Sequence, residues 1–193
     1  AEGYRFVGWK NLDGSMLEET VFTATDNVTL QAVFEPSIFS NEDLIVSEIM
    51  YHPSNATANT VAGVEFLELK NVGNTTVDLA GYRFTSGISF TFSEGTVLLP
   101  GAVVVITRNM KLFRKNYGIV PVAGEYSGKL QNEGELLTLL DDSSNVVFNF
   151  AYASTELWPS QANTGGLSLE TICYDHQFDH ADHHNWRAST VLG

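Results

Sequence analysis

VEFLELKNVGNTTVDLAGYRFTSGISFTF, residues 64–92, decides the reading of this chain. Two alternating apolar runs flank a bend rich in Asn, Gly and Asp, the pattern of antiparallel strands joined by short turns. Phe66 to Leu69 and Ile88 to Phe92 are positioned to build a core between two sheets. Phe66, Leu67, Leu69, Leu79, Tyr82, Phe84, Phe90 and Phe92 all read as core, which leaves Glu65 as the one residue of the stretch with chemistry to explain.

The same texture continues on both sides. Strands are expected at 44–50, 65–71, 76–78, 89–92, 96–98, 102–107, 136–141 and 146–152, with turn chemistry at Gly73-Asn74, Pro100-Gly101, Asn132-Glu133-Gly134 and Asp141–Asn145. Met110–Tyr117 reads as one or two helical turns stopped by Gly118. Short strands at this spacing favour a sandwich.

Toward the N-terminus, GYRFVGW (Gly3–Trp9) and the alternating run from Val28 to Phe34 are strands, with a further strand at Met16–Thr23. Val28, Leu30, Ala32 and Phe34 form the inward set, and Asp13-Gly14 supplies a tight turn. Tyr4 and Trp9 read as core of this small unit rather than as a sugar-stacking platform. The segment Pro36–Asp43 is a short linker, and Ile38 and Phe39 are expected to be buried where the two units touch.

Together with LIVSEIMYHP at Leu44–Pro53, residues 64–92 closely resemble the lamin tail domain, which occurs in nuclear lamins and in many secreted bacterial proteins. The resemblance implies an all-β, immunoglobulin-like β-sandwich over residues 41–193, and the pieces GGLSLE and NWRAS recur near the end of secreted bacterial members. Residues 1–36 resemble the back half of the bacterial surface repeat of internalin-type and Bacteroides proteins. The chain therefore reads as a piece of a longer protein.

Charge narrows the partners. Ten Lys+Arg against 23 Asp+Glu give a formal net charge of −13, which repels phosphate backbones and anionic membrane surfaces, so nucleic acid is not expected as a partner; with no apolar span of membrane length in the sequence, neither is membrane insertion. Lys111, Arg114 and Lys115 read as a solvated helix face. The single cysteine, Cys173, excludes an intrachain disulfide and a cysteine zinc site, and it reads as a small buried strand residue.

DHQFDHADHHNW, residues 175–186, holds four of the five histidines. Imidazoles and carboxylates suit a divalent ion, and His176/His180 and Asp179/His183 would each face one way on a helical turn. No HExxH pattern accompanies them, so the first reading is a solvated loop with no resident cofactor. The candidate ligands are Asp175, His176, Asp179, His180, Asp182 and His183, with calcium on the aspartates competing with zinc on the histidines. Glu48, on the face of Leu44 and Val46, and Glu65, on the face of Leu67 and Leu69, read as core-edge carboxylates paired with His52, Arg83 or backbone N–H groups, in preference to a two-carboxylate site.

The function these features favour is a non-catalytic extracellular or cell-surface module of a larger bacterial protein, serving adhesion, scaffolding or domain positioning. Its partner would be a protein or glycan at the cell surface. Two alternatives are a carbohydrate- or metal-dependent ligand-binding module, with an exposed pair such as Trp158 with Tyr152 or Tyr174, and an accessory domain of a secreted hydrolase or nuclease.

Overall fold

The computed structural model describes residues 4–16, 28–36, 43–54, 63–155, 157–164, 166–174 and 178–190. The chain divides into two compact units, residues 1–40 and 41–193. In the first, β1 (Tyr4–Lys10) pairs antiparallel with β2 (Gln31–Pro36), with Trp9 opposite Ala32 and a bulge between Phe6 and Gly8. The turn after β1 forms as its residues require: Gly14 sits at φ +90, and the Asp13 carboxylate accepts the Ser15 N–H and hydroxyl. Two readings change here. Val28 precedes β2 and is half exposed, and Trp9 is 45% exposed, so neither is a core residue. Of the expected strand from Met16, only Met16 is described, as a bridge to Lys10; Ile38 and Phe39 lie outside the described residues.

The second unit is the sandwich. Its strands are β3 (Leu44–Met50), β4 (Phe66–Asn71), β5 (Val77–Asp78), β6 (Arg83–Ser86), β7 (Ile88–Thr91), β8 (Val97–Leu98) and β9 (Val103–Thr107). After the helix α1 (Met110–Tyr117) come β10 (Val122–Glu125), β11 (Ser127–Gly128), β12 (Gly134–Leu140), β13 (Val146–Ala153), β14 (Leu169–Thr171) and β15 (Trp186–Ala188). One sheet runs β10-β9-β4-β3-β14-β15 and the other β11-β7-β6-β12-β13, with β5 and β8 forming a separate ladder. The main core lies between the two sheets: Leu67 and Leu69 of β4, Val104 and Ile106 of β9, Leu137 and Leu139 of β12, and Phe148, Phe150 and Tyr152 of β13 are all in it. The period of two in each strand produces that face.

A second, smaller core sits on the outer face of the six-stranded sheet. There α1 lays Phe113 against Phe66, ring centroids 5.2 Å apart, beside Met50, Val64 and Val105. Phe66 therefore belongs under the helix and not between the sheets. The helix begins where Asn109 accepts the Leu112 N–H and ends at Gly118, φ +73, as a glycine stop does.

Two residues hold the bends. Asn71 is fully buried; its amide donates to the carbonyls of Thr75 and Leu98 and its oxygen accepts the Gly73 N–H, which fixes the turn within residues 64–92. Gly134, at φ +105, opens β12 where a Cβ would run into the Tyr152 carbonyl and the Ala153 Cα. Gly134→Ala is expected to lower stability by about 2 kcal/mol in thermal melts, from backbone strain combined with the clash. Gly95→Ala, also at positive φ but facing open space, should cost about 1 kcal/mol.

Candidate functional site

Glu65, only 9% exposed, precedes β4 on the inner side of its sheet. Its Oε1 accepts Arg108 Nη1 at 3.0 Å, and its Oε2 accepts the Leu130 N–H at 3.0 Å and the Tyr126 hydroxyl at 3.3 Å. Those last two partners flank β11, the edge of the opposite sheet, so one carboxylate ties the sheets together. Burial first, then the Glu65 charge, pushes the Tyr126 phenol well above its ordinary range. Of the anticipated partners, a backbone N–H, that of Leu130, is found, while the two side chains go elsewhere: His52 pairs with Asn163 at 2.9 Å, and Arg83 donates to the Asp141 carbonyl and the Ser144 hydroxyl. A cleft of about 280 Å³ opens beside Glu65 and Arg108, walled by Val64 and Leu112. That is below the usual size of a small-molecule pocket, about 300–1,000 Å³.

Glu48 is not at the same core edge. A bulge between Val46 and Glu48 shifts the strand's phase, so Leu44, Val46, Ile49 and Tyr51 face the main core. Glu48 turns outward with Met50, on the opposite face of the sheet from Glu65, and the two carboxylates do not converge. Instead Glu170, Glu48 and Glu68 lie in register across β14, β3 and β4. Like charges facing across strands are unfavourable, and each of the three is tied down. Ser168 Oγ donates to Glu48 at 2.5 Å, Ser47 Oγ to Glu68 at 2.7 Å and Arg187 Nη2 to Glu170 at 2.8 Å. Burial, opposed by Ser168 and reinforced by Glu68 and Glu170, raises Glu48 from 4.5 to about 7. Burial and then the Glu48 charge raise Tyr117 to about 12.

The His/Asp-rich tail is partly core. His180 is buried, its ring stacked on Phe150 at 4.6 Å and 21° and met edge-on by Phe178. Its Nε2 accepts the Val46 N–H at 2.9 Å, just past the end of the β14 pairing, so the imidazole stands in for a neighbouring strand. Accepting at Nε2 places the proton on Nδ1 of a neutral ring, and burial, weakly opposed by Asp179, lowers its pKa from 6.5 to about 4. His180 is therefore no free metal ligand, which corrects the solvated-loop reading at this position. Asp179 caps its own turn by accepting the Ala181 N–H. Asp175 and His176 lie outside the described residues.

Asp182 and His183 do come together, joined by His184, which a helical spacing does not select. The segment His183–Asn185 is a single 3-10 turn with Asp182 at its N-cap, and it is the Asp182 carboxylate folding back onto His184, not an i, i+4 helical pairing, that gathers the three. One ligand atom from each of Asp182, His183 and His184 lies within 4.8 Å of the others.

Two aromatic readings also change. Trp158 and Tyr152 are buried, and Trp158 packs on Trp186 with centroids 6.1 Å apart, so neither is half of an exposed platform. Tyr174 is exposed beneath Lys70 Nζ at 4.6 Å from its ring. Cys173 lies beyond β14 and is exposed, not buried in a strand.

Among curated proteins none matches the chain. The family model of the Lamin Tail Domain matches residues 38–154, which is most of the sandwich. The chain belongs to the lamin tail domain family, and its fold is the immunoglobulin-like β-sandwich of that family.

Proposed function

We propose that the chain is a non-catalytic module of a larger bacterial protein, acting outside the cell or at its surface in adhesion, scaffolding or the positioning of neighbouring domains. The observation that carries this reading is how the sandwich uses its titratable groups. Glu65 is saturated by three donors, Glu48 faces away from it, and His180 completes a sheet edge. Each is spent on holding the fold.

Strand β13 supports the binding side of the reading. It ends its sheet and runs eight residues, VVFNFAYA, with no charge or proline to blunt its edge. Such an edge can accept an extended segment of a protein partner by strand addition. The resemblance of residues 1–36 to part of a bacterial surface repeat points to the same location.

The test is an epitope placed in the exposed Asp141–Asn145 turn of the parent protein in its own cells. Antibody labelling of intact cells is the expected result; labelling only after lysis would sink the surface assignment.

A further inference from the structure

The turn that carries Asp182, His183 and His184 is held by its neighbours before any ligand arrives. On one side His180 is fixed in the core, and the Trp186 indole N–H donates to the His180 carbonyl at 3.0 Å. The Asn185 amide donates to the Asp179 carbonyl at 3.0 Å, and the Asn185 carbonyl accepts the Ile172 N–H. Asp182 folds back onto the turn by accepting the His184 N–H at 3.0 Å. Ordering a loop around an ion is a large part of what binding costs, and here the two buried aromatic anchors have already ordered it.

We propose that Asp182, His183 and His184 form a binding site for a divalent transition-metal ion of the zinc class. Asp182 Oδ1 lies 2.9 Å from His184 Nδ1 and 4.0 Å from His183 Nδ1, and the two rings are 4.0 Å apart. Ligands about 2.0–2.2 Å from a tetrahedral ion are separated by roughly 3.4 Å. The observed separations bracket that value, so small side-chain rotations bring all three donors onto one ion. An ion there takes the place of the Asp182–His184 hydrogen bond, with the His184 ring in the tautomer that leaves Nδ1 free to coordinate. The His184 side chain is 78% exposed and that of Asp182 45%, which leaves solvent access for water in the remaining positions. Two imidazole nitrogens and one carboxylate oxygen favour zinc, nickel or copper over calcium or magnesium, whose sites are built from oxygen.

The test is isothermal titration of the full chain with zinc chloride and, separately, calcium chloride, repeated on variants. Zinc is expected to bind one to one and raise the melting temperature, with no response to calcium. His184→Ala, at an exposed ring that folding does not need, and His183→Ala should each weaken zinc at least about tenfold. Asp182→Asn keeps an oxygen to cap the turn yet should also weaken zinc, while His52→Ala, on the Asn163 pair, should change nothing. Cobalt supplies a second readout, since coordination by the turn changes its visible absorption and the His183→Ala/His184→Ala double variant should abolish that change. Absence of a zinc response, an equal response to calcium, or full zinc affinity in the double variant overturns the proposal.

Discussion

Replacing Glu65 with alanine is expected to destabilise the sandwich by about 3 kcal/mol and to lower its melting temperature by roughly 6–12 °C. The cause is the two donors left behind. Leu130, 1% exposed, keeps a buried N–H with no acceptor, and the Tyr126 hydroxyl, on a side chain 5% exposed, loses its carboxylate. An unsatisfied buried donor costs about 1–3 kcal/mol. Arg108→Ala is the informative partner experiment, because the Arg108 side chain is 51% exposed and a pair so open to water is worth about 0.2–1 kcal/mol. Chemical denaturation of both variants separates the contributions. Equal losses would mean that the ion pair, and not the tie from β4 across to Tyr126 and Leu130, holds the sheets together.

Acidification should expose a contest between His180 and Glu48. His180 titrates at about 4 in the folded chain against 6.5 ordinarily, so the unfolded chain takes up its proton first as pH falls. Stability present above pH 6.5 is thereby drained down to about pH 4, by about 3 kcal/mol at 1.36 kcal/mol per unit. Glu48 runs the other way: raised from 4.5 to about 7, it gains its proton first in the folded chain and adds stability as pH falls from 7 to 4.5. Glu68, also raised, mainly by burial, acts in the same sense. The two carboxyls keep some solvent contact, so they offset the histidine only in part. The native protein is therefore expected to lose some stability between pH 6.5 and 4.5, and Glu48→Gln to lose it much more steeply over that interval in urea melts. His180→Phe should flatten the acid limb while costing about 1–3 kcal/mol at pH 7, because Val46 loses the acceptor of its N–H. A Glu48→Gln variant with the same pH profile as the native chain would refute the offset.

Much of the architecture is legible because it is local. The alternation in β4, β9, β12 and β13, the Asp-Gly turn after β1 and the glycine stop of α1 are written in neighbouring residues, and each forms where those residues place it. Phase is less secure. Nothing in LIVSEIM marks the bulge, so a strict period of two puts Glu48 inward with Val46, and one extra residue sends it to the other face. Strands β6, β10, β11, β14 and β15, two to four residues each, carry too little pattern to stand out, and their pairing partners are distant. The candidate site follows the same rule. Asp182 and His183 are recognisable as donors, but only the 3-10 geometry of the turn adds His184 and removes the helical pairings.

Sequence alone determined the all-β class, the lamin tail resemblance, the position of α1 and the inner-face residues of the longer strands, because hydrophobic periodicity and turn chemistry act over a few residues. Tertiary structure decided what the polar groups do. Glu65 met Leu130 across 65 residues and His180 met Val46 across 134. Whether a carboxylate or imidazole is a ligand, an acid or a structural acceptor depends on burial and on partners that local sequence does not contain. That is why Glu65 and His180, both of which looked chemical, proved to fasten the fold.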